Sequence, residues 1–317
     1  MVYAANRHEA GRALQSAANA DVLIKASGVG VLDDWLEREV LENRAGHGKK
    51  PLRIFWDVDA PATLARVQRD PTDPFRELIP RYDAILTYGG GRPVVDAYRA
   101  LDARLCQPIY NGLDPETHNP APPDPRFHAT LGFLGNRLPD REGRVHEFFF
   151  KTVAAMPTAS FILGGSGWQE HAPRFDNLKY LGHVYTDDHN AFNCTPLAVL
   201  NINRDSMARI GFSPPTRVFE AAGAGACLIT DRWEGLAHFL QPGEEVLTAD
   251  NGDEVIACLR DLTPETARRI GEAARRRVLA KHTYRHRALQ FEELLAAHFP
   301  IHLGMHTRAG ILSEASR

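Results

Sequence analysis

The chain has 317 residues, with 37 Lys and Arg against 40 Asp and Glu, and it is 44% hydrophobic and 24% charged. Those values suit a globular chain with room for two domains, and a net charge of −3 gives no global signature of nucleic-acid binding. No apolar run approaches the ~20 residues of a membrane span and the first residues lack a signal-peptide core, so the expected location is the cytoplasm, with no integral membrane segment. Cysteines occur at 106, 194, 227 and 258 without metal-ligand spacing, and they read as reduced, buried thiols.

In chain order, 7–19 patterns as an amphipathic helix and 21–25 as a strand. Ser27-Gly-Val-Gly30 is a loop and 32–42 a second helix. The basic piece 44–50 leads into a strand at 52–56 that ends in Asp57-Val-Asp59-Ala-Pro61. A helix near 62–69, a strand at 83–87, the turn Tyr88-Gly-Gly-Gly91, a helix at 93–101 and a strand at 105–110 complete this half. Strands alternating with helices at this rhythm predict a parallel sheet covered on both faces. The chain opens on a helix rather than on a strand and Gly-rich turn, so this first domain is expected to be abbreviated at its N-terminus.

Residues 111–127 are dense in Pro, Asn and Asp and read as a linker. The α/β alternation then restarts through 130–134, 141–156, 160–163, 178–180, 187–194 and 198–201. Later segments are a strand at 246–247 and helices at 253–262, 264–281 and 288–298. The division expected is 1–112 for an acceptor-side domain, 113–127 for the linker, 128–298 for a nucleotide-sugar domain and 299–317 for an irregular tail. The arginine-rich run around His282 and His286 reads as a solvated helix face.

The stretch 211–231 carries the chemistry. Ser213 suits an N-cap, Pro214 the first helical position, and Gly223 and Gly225 the stop before a strand at 226–230. Ser213, Arg217 and Glu220 are spaced four and three apart and share one helical stripe. The free N–H groups at the helix start, with Arg217 one turn in, suit a phosphate. Glu220, a turn further, suits the vicinal hydroxyls of a sugar. That pattern points to a nucleotide-sugar site, and Thr216 at the same helix start joins the set of donor contacts.

Polar turns after strands supply the other candidates, because open α/β sheets bind ligands at the carboxyl ends of their strands. Gly132-Phe-Leu-Gly-Asn-Arg137 offers Gly135, Asn136 and Arg137 to a pyrophosphate, or is an ordinary tight turn. Gly164-Gly-Ser-Gly-Trp168, with Gly165, is a flexible loop or a site floor. Asn203 and Arg204 follow a strand and would project into the same crevice as Ser213 and Arg217. Asp57 and Asp59 have three readings: helix capping, an acceptor-side carboxylate that includes a general base, or a metal pair. His183 is either a crevice residue or a structural one. The chain has no Ser–His–Asp elbow, no P-loop and no complete G-x-G-x-x-G.

Arg217-Val-Phe-Glu-Ala-Ala-Gly-Ala-Gly-Ala-Cys-Leu-Ile-Thr230, Glu234-Gly-Leu and Pro242-Gly-Glu-Glu-Val-Leu247 resemble the C-terminal half of GT-B glycosyltransferases. The CgeB-like group, labelled spore maturation proteins, is the nearest likeness. Arg269-Ile-Gly-Glu-Ala-Ala-Arg-Arg-Arg-Val and His282-Thr-Tyr resemble its closing segment, and Asn111-Gly-Leu-Asp-Pro-Glu-Thr-His-Asn-Pro120 the interdomain segment. The likeness covers most of 50–298. It implies an α/β fold of two facing Rossmann-like domains, with the donor held mainly by the second. Glu220 would match the second glutamate of the E-x7-E motif of retaining enzymes, which contacts the ribose, while Phe212 stands at the first.

The implied activity is that of a hexosyltransferase-like enzyme moving a sugar from a UDP-, GDP- or dTDP-sugar to an unidentified glycan, small-molecule or protein acceptor. No metal or other cofactor is expected, and homo-oligomerisation is possible. Arg217, Arg204 and helix N–H groups would stabilise the leaving diphosphate. An inverting reaction would need a base, for which Asp59 is the candidate; a retaining one could rely on the donor phosphate. Two alternatives stay open: a non-catalytic or partner-dependent nucleotide-sugar-binding module, and a nucleotide-sugar epimerase.

Overall fold

The computed structural model describes residues 4–17, 19–28, 30–42 and 51–300. The basic piece at 44–50, Val29 of the first loop and all but the first two residues of the expected tail lie outside the described residues. Those described fall into two compact units. The first holds the residues up to Tyr88, Arg92–Ile109 and those from Ala288 on; the second holds Gly89–Gly91 and Tyr110–Arg287. This division differs from the sequence-based one at three places, the first being Gly89–Gly91, which fall in the second unit. The Pro-rich stretch belongs to the second unit from Tyr110 onward, and the chain rejoins the first unit at Ala288.

In the first unit, α1 (Arg7–Ser16), β1 (Val22–Ala26), α2 (Asp33–Glu42), β2 (Leu52–Asp57), α3 (Ala60–Arg69), β3 (Ala84–Thr87), α4 (Gly91–Arg99) and β4 (Cys106–Pro108) follow one another. The four strands form a parallel sheet in the order β1-β2-β3-β4. Right-handed crossovers in one direction put the connecting helices on one face. Phe55 of β2 accordingly stacks on Phe75 and Tyr82 from the β2–β3 connection. Its neighbours Leu52 and Ile54, of opposite parity, bury against Leu294 and Leu295 of the C-terminal helix (Tyr284–His298). A sheet with helices on one side only would leave that apolar face wet, and residues 288–299 cover it.

The second unit comprises β5 (Leu131–Leu134), α5 (Pro139–Val145), a π turn at His146–Phe150, α6 (Lys151–Ala155), β6 (Phe161–Gly164), β7 (Leu178–Gly182), α7 (Thr186–Cys194), β8 (Ala198–Asn201), α8 (Asp205–Ile210), α9 (Thr216–Ala224), β9 (Leu228–Asp231), α10 (Leu236–Phe239), β10 (Leu247–Ala249), α11 (Gly252–Asp261) and α12 (Pro264–Lys281). The sequence pattern did not separate α8, α10 or the π turn. The π turn lets the consecutive Phe148, Phe149 and Phe150 all be buried. Six parallel strands run in the order β10-β9-β8-β5-β6-β7. Val199, Leu228 and Ile162 bury on one face with Val218 and Ala221 of α9. Leu131, Phe133, Leu163, Leu200 and Ile229 bury on the other with the three phenylalanines. The strand order reverses between β5 and β8, and such a reversal opens a crevice at the carboxyl ends of those two strands.

Two expectations for the central helix are corrected. It begins at Thr216 with Pro215 at the cap position, so Ser213 is not its N-cap. Ser213 is buried and its hydroxyl donates to the Gly211 carbonyl at 2.9 Å. Pro214 precedes the helix because the consecutive prolines hold the chain extended up to Pro215. The stop is Gly225 alone, which adopts φ 79° and donates its N–H to the last turn. Gly223 is inside the helix and serves close packing: a Cβ there would lie 2.3 Å from Leu113 Cδ1 and 2.9 Å from the His118 carbonyl.

The arginine-rich closing segment is also not simply a solvated face. Arg287 is buried; its Nε donates to the Asn111 carbonyl and its Nη2 faces His282 Nδ1, each at 3.0 Å. All four cysteines are free, with Cys106 and Cys227 buried.

Candidate functional site

Three loops at the carboxyl ends of β5, β6 and β8 build the crevice wall. After β5, Gly135 N–H donates to the Gly164 carbonyl and Asn136 Oδ1 accepts from Ser166 N–H, each at 2.9 Å. Gly165, at φ 123°, sits so close to the Gly135 carbonyl that a Cβ would be 2.3 Å from it. Gly135, Asn136 and Gly165 therefore knit the β5 and β6 loops together. Arg137 is engaged by Glu142, with Nε–Oε1 at 2.9 Å and Nη2–Oε2 at 2.7 Å. The arginine that approaches Arg204 and Arg217 is instead Arg141. Burial pulls its guanidinium below its ordinary pKa, with Arg217 and Arg204 adding to that effect and Asp140 and Asp231 opposing it.

After β8, Asn203 is buried, and its N–H donates to Asp231 Oδ1 while its side-chain oxygen accepts from Asn201, both at 3.0 Å. Asp231, at the end of β9, also receives Arg144 Nη2 at 2.6 Å. Burial raises its pKa, offset in part by the Asn203 N–H and Arg144. This network fixes the loop that carries Arg204, whose Nε donates to Asp140 at 2.6 Å. Asn203 is thus a wall residue whose donors and acceptors are turned inward.

Arg217 and Glu220 stand on one face of α9, as their spacing predicts, with Nη1 3.0 Å from Oε2. Each side chain is 19% exposed, and burial lowers the Arg217 pKa against the pull of Glu220. Two residues not found from sequence complete the group. His118 places Nε2 3.8 Å from Glu220 Oε1, and its ring stacks on that of His189 of α7 at 6.3 Å and 20°. His189 Nε2 lies 3.3 Å from the Val184 carbonyl. Burial, with Arg217 adding to it, lowers the His189 pKa. Arg217 Nη1, Glu220 Oε2, His118 Nδ1 and His189 Nδ1 are all buried without a well-directed hydrogen bond to any described residue. Native interiors leave few polar atoms so, and a group of them marks a place for a polar ligand. Thr216, at the start of the same helix, is exposed.

Other expected residues lie elsewhere. His183 is exposed and packs edge-on against Tyr185 at 4.6 Å. Phe212 adopts φ 45°, rare for a residue with a side chain, and its ring sits where Gly235 leaves room: a Cβ there would be 2.3 Å away. In the first unit, Asp57 is fully buried and accepts from Ser27 Oγ, Thr63 Oγ1 and Asp59 N–H at 2.9, 3.0 and 3.1 Å, and from the Tyr98 hydroxyl. A carboxylate so engaged is a structural tie. Asp59 stands at the N-cap of α3 without a side-chain capping bond and is half-buried. A hollow of about 500 Å³ lined by Thr130, Ser160, Leu197 and Cys227 lies where the chain enters the strands, at the opposite end of the sheet from the polar group.

Solved structures share this architecture across nearly the whole chain. Sucrose-phosphate synthase from Thermosynechococcus elongatus matches with a TM-score of 0.65 at 17% identity, covering 92% of this chain and 77% of that one. The fold is GT-B. Anabaena HepE in complex with UDP and glucose gives 0.62 at 12% identity, over 90% of this chain and 81% of the other. The α,α-trehalose-phosphate synthase (UDP-forming) of Burkholderia vietnamiensis gives 0.60 at 13%, over 92% and 78%. Residues 141–293 match the family model described as glycosyl transferase-like. That match spans α9, the β8 and β9 ends and Arg141, hence most of the polar group described above. No curated protein sequence matches the chain.

Proposed function

We propose that the protein is a glycosyltransferase that takes its sugar from a UDP-sugar bound in the second unit, independently of a metal. The observation that carries this reading is a cluster of buried polar groups: the Arg217–Glu220 ion pair, whose facing atoms lie 3.0 Å apart without a well-directed hydrogen bond, and beside it the Nδ1 atoms of His118 and His189, which have no hydrogen-bond partner among the described residues. One end of the cluster is cationic and donates; the other offers acceptors. A nucleoside diphosphate has the matching polarity, with an anionic end for Arg217 and ribose hydroxyls for Glu220. The UDP and UDP-glucose complexes of the structurally similar Anabaena HepE support uridine as the base.

Arg217 and Arg204, with Arg141, would balance the charge that builds on the departing diphosphate as the glycosidic bond breaks. Three guanidiniums supply the role a divalent cation plays in other transferases. Asp59 is the proposed base for an inverting transfer; in a retaining transfer the donor phosphate would take the acceptor proton. Phe212, apolar where a glutamate would face the sugar, favours one second reading: a module that binds the donor without turning it over.

The test is incubation with UDP-sugars and chelator while UDP release is followed. The proposal expects release that falls at least tenfold in Arg217→Ala. Tight UDP binding with no release from any sugar, in the presence of candidate acceptors, would favour the binding module.

A further inference from the structure

The interdomain motif does more than connect. Asp114 Oδ1 accepts from Glu116 N–H and Oδ2 from the Thr117 hydroxyl, at 3.0 and 2.7 Å, which closes a tight turn. The His118 N–H continues it by donating to the Asp114 carbonyl at 2.9 Å, and Asn119 Nδ2 returns to the Glu116 carbonyl at 2.9 Å. Asn190 of α7 clamps the turn from outside: its Nδ2 donates to the Thr117 carbonyl at 2.8 Å and its Oδ1 accepts from Asn119 N–H at 3.3 Å. Gly223 lets the turn settle onto α9, because any side chain there would strike Leu113 and the His118 carbonyl. These constraints fix the backbone at His118, whose imidazole faces Glu220.

The two oxygens of Glu220 then face different neighbours. Oε2 faces Arg217 at 3.0 Å, and Oε1 faces His118 Nε2 at 3.8 Å. Arg217 holds one edge of the carboxylate, and His118 approaches the other at more than hydrogen-bond distance, which leaves Oε1 able to accept from a ligand. His189, placed under His118 and bonded through Nε2–H to the Val184 carbonyl, leaves Nδ1 as an acceptor. The assembly offers acceptors in a fixed array, which suits a pair of hydroxyl donors.

We infer that His118 is a positioning residue that sets the Glu220 carboxylate for a ribose cis-diol, with His189 as its backing, so that this pair makes the site select ribonucleotides over 2′-deoxyribonucleotides. The inference rests on the nucleotide-donor reading above. Losing one hydroxyl from a site built to bind two leaves a buried acceptor unpaired, which discriminates strongly. A residue that only packs would affect both nucleotides alike.

Calorimetric titration of the full chain with UDP and with 2′-deoxy-UDP tests this. Wild type should bind UDP at least tenfold more tightly. His118→Phe should weaken UDP about tenfold and leave 2′-deoxy-UDP nearly unchanged, so that the preference collapses. His118→Gln, which keeps an N–H donor, should restore most of it. Asn190→Ala loosens the turn without touching the ring and should lower the preference in the same direction, which serves if His118→Phe fails to fold. A preference that survives in every folded variant, or a wild type that binds both nucleotides equally, would overturn the inference while leaving the donor site standing. No binding of either nucleotide to wild type would overturn the donor reading itself.

Discussion

Arg217 and Glu220 form a coupled pair, and each depends on the other for more than ligand binding. Removing one leaves the other a nearly buried charge with no opposite partner, which typically costs about 3 kcal/mol or more. Glu220→Ala should therefore melt lower than wild type, whereas Glu220→Gln, which keeps volume and a hydrogen-bonding oxygen, should lose less stability. Both should bind UDP roughly ten- to hundredfold more weakly, the range for a lost hydrogen bond to a charged group. Thermal melts set beside UDP titrations check the two effects separately. Arg217 and Glu220 were legible because helical spacing alone puts them on one stripe. Arg141 was not, because Arg137 looks equally suitable until Glu142 is seen to occupy it. His118 was hidden for another reason: its approach to Glu220 follows from the tertiary contact that Gly223 permits.

At the scale of elements, the strands were readable as short apolar runs, and their alternation with helices implied the parallel sheets that are found. Helix ends were less so. Pro214 resembles a first helical residue, yet the second proline delays the start to Thr216. Where α12 crosses the end of α9, Gly271 admits no side chain: a Cβ would lie 2.0 Å from the Gly225 carbonyl. Gly271→Ala must push the two elements apart and should cost about 1–3 kcal/mol, read as a lowered denaturation midpoint.

The joint of α12 with the C-terminal helix carries a pH dependence. Burial first, then Arg287, His238, Arg277 and His286, lowers the His282 pKa from 6.5 to about 3, with the rings of Phe219 and Phe239 also against it. The folded state holds the ring neutral while the unfolded state protonates it near 6.5. Its contribution is thus fully present above that value and is lost as pH falls toward 3. At pH 5 the loss relative to pH 7 is about 2 kcal/mol. Denaturant midpoints measured between pH 7 and pH 5 should show that fall, and it should flatten in His282→Gln.

For the molecule as a whole, the doubling into two Rossmann-like units was legible from the interruption at 111–127, but the membership of the connecting pieces was not. The stretch 111–127 reads as a linker between domains by composition, yet Leu113 pairs with Thr283 and the segment folds with the second unit. The closing helix reads as the end of the second domain, yet Leu294 and Leu295 bury against β2 and β3 of the first. Strand order adds the decisive fact that periodicity lacks: the reversal between β5 and β8, where the arginines gather. With three guanidiniums there, transfer or hydrolysis of a UDP-sugar should proceed undiminished after exhaustive chelation; a loss restored by Mg²⁺ or Mn²⁺ would contradict metal independence.

Calorimetric titration of UDP into the full-length chain, in parallel with Arg217→Ala, tests the central claim most directly. The claim predicts one saturable site on wild type and an affinity at least tenfold lower in the variant, a difference of about 1.4 kcal/mol or more. Absence of binding to wild type, or equal affinity for both proteins, would contradict it.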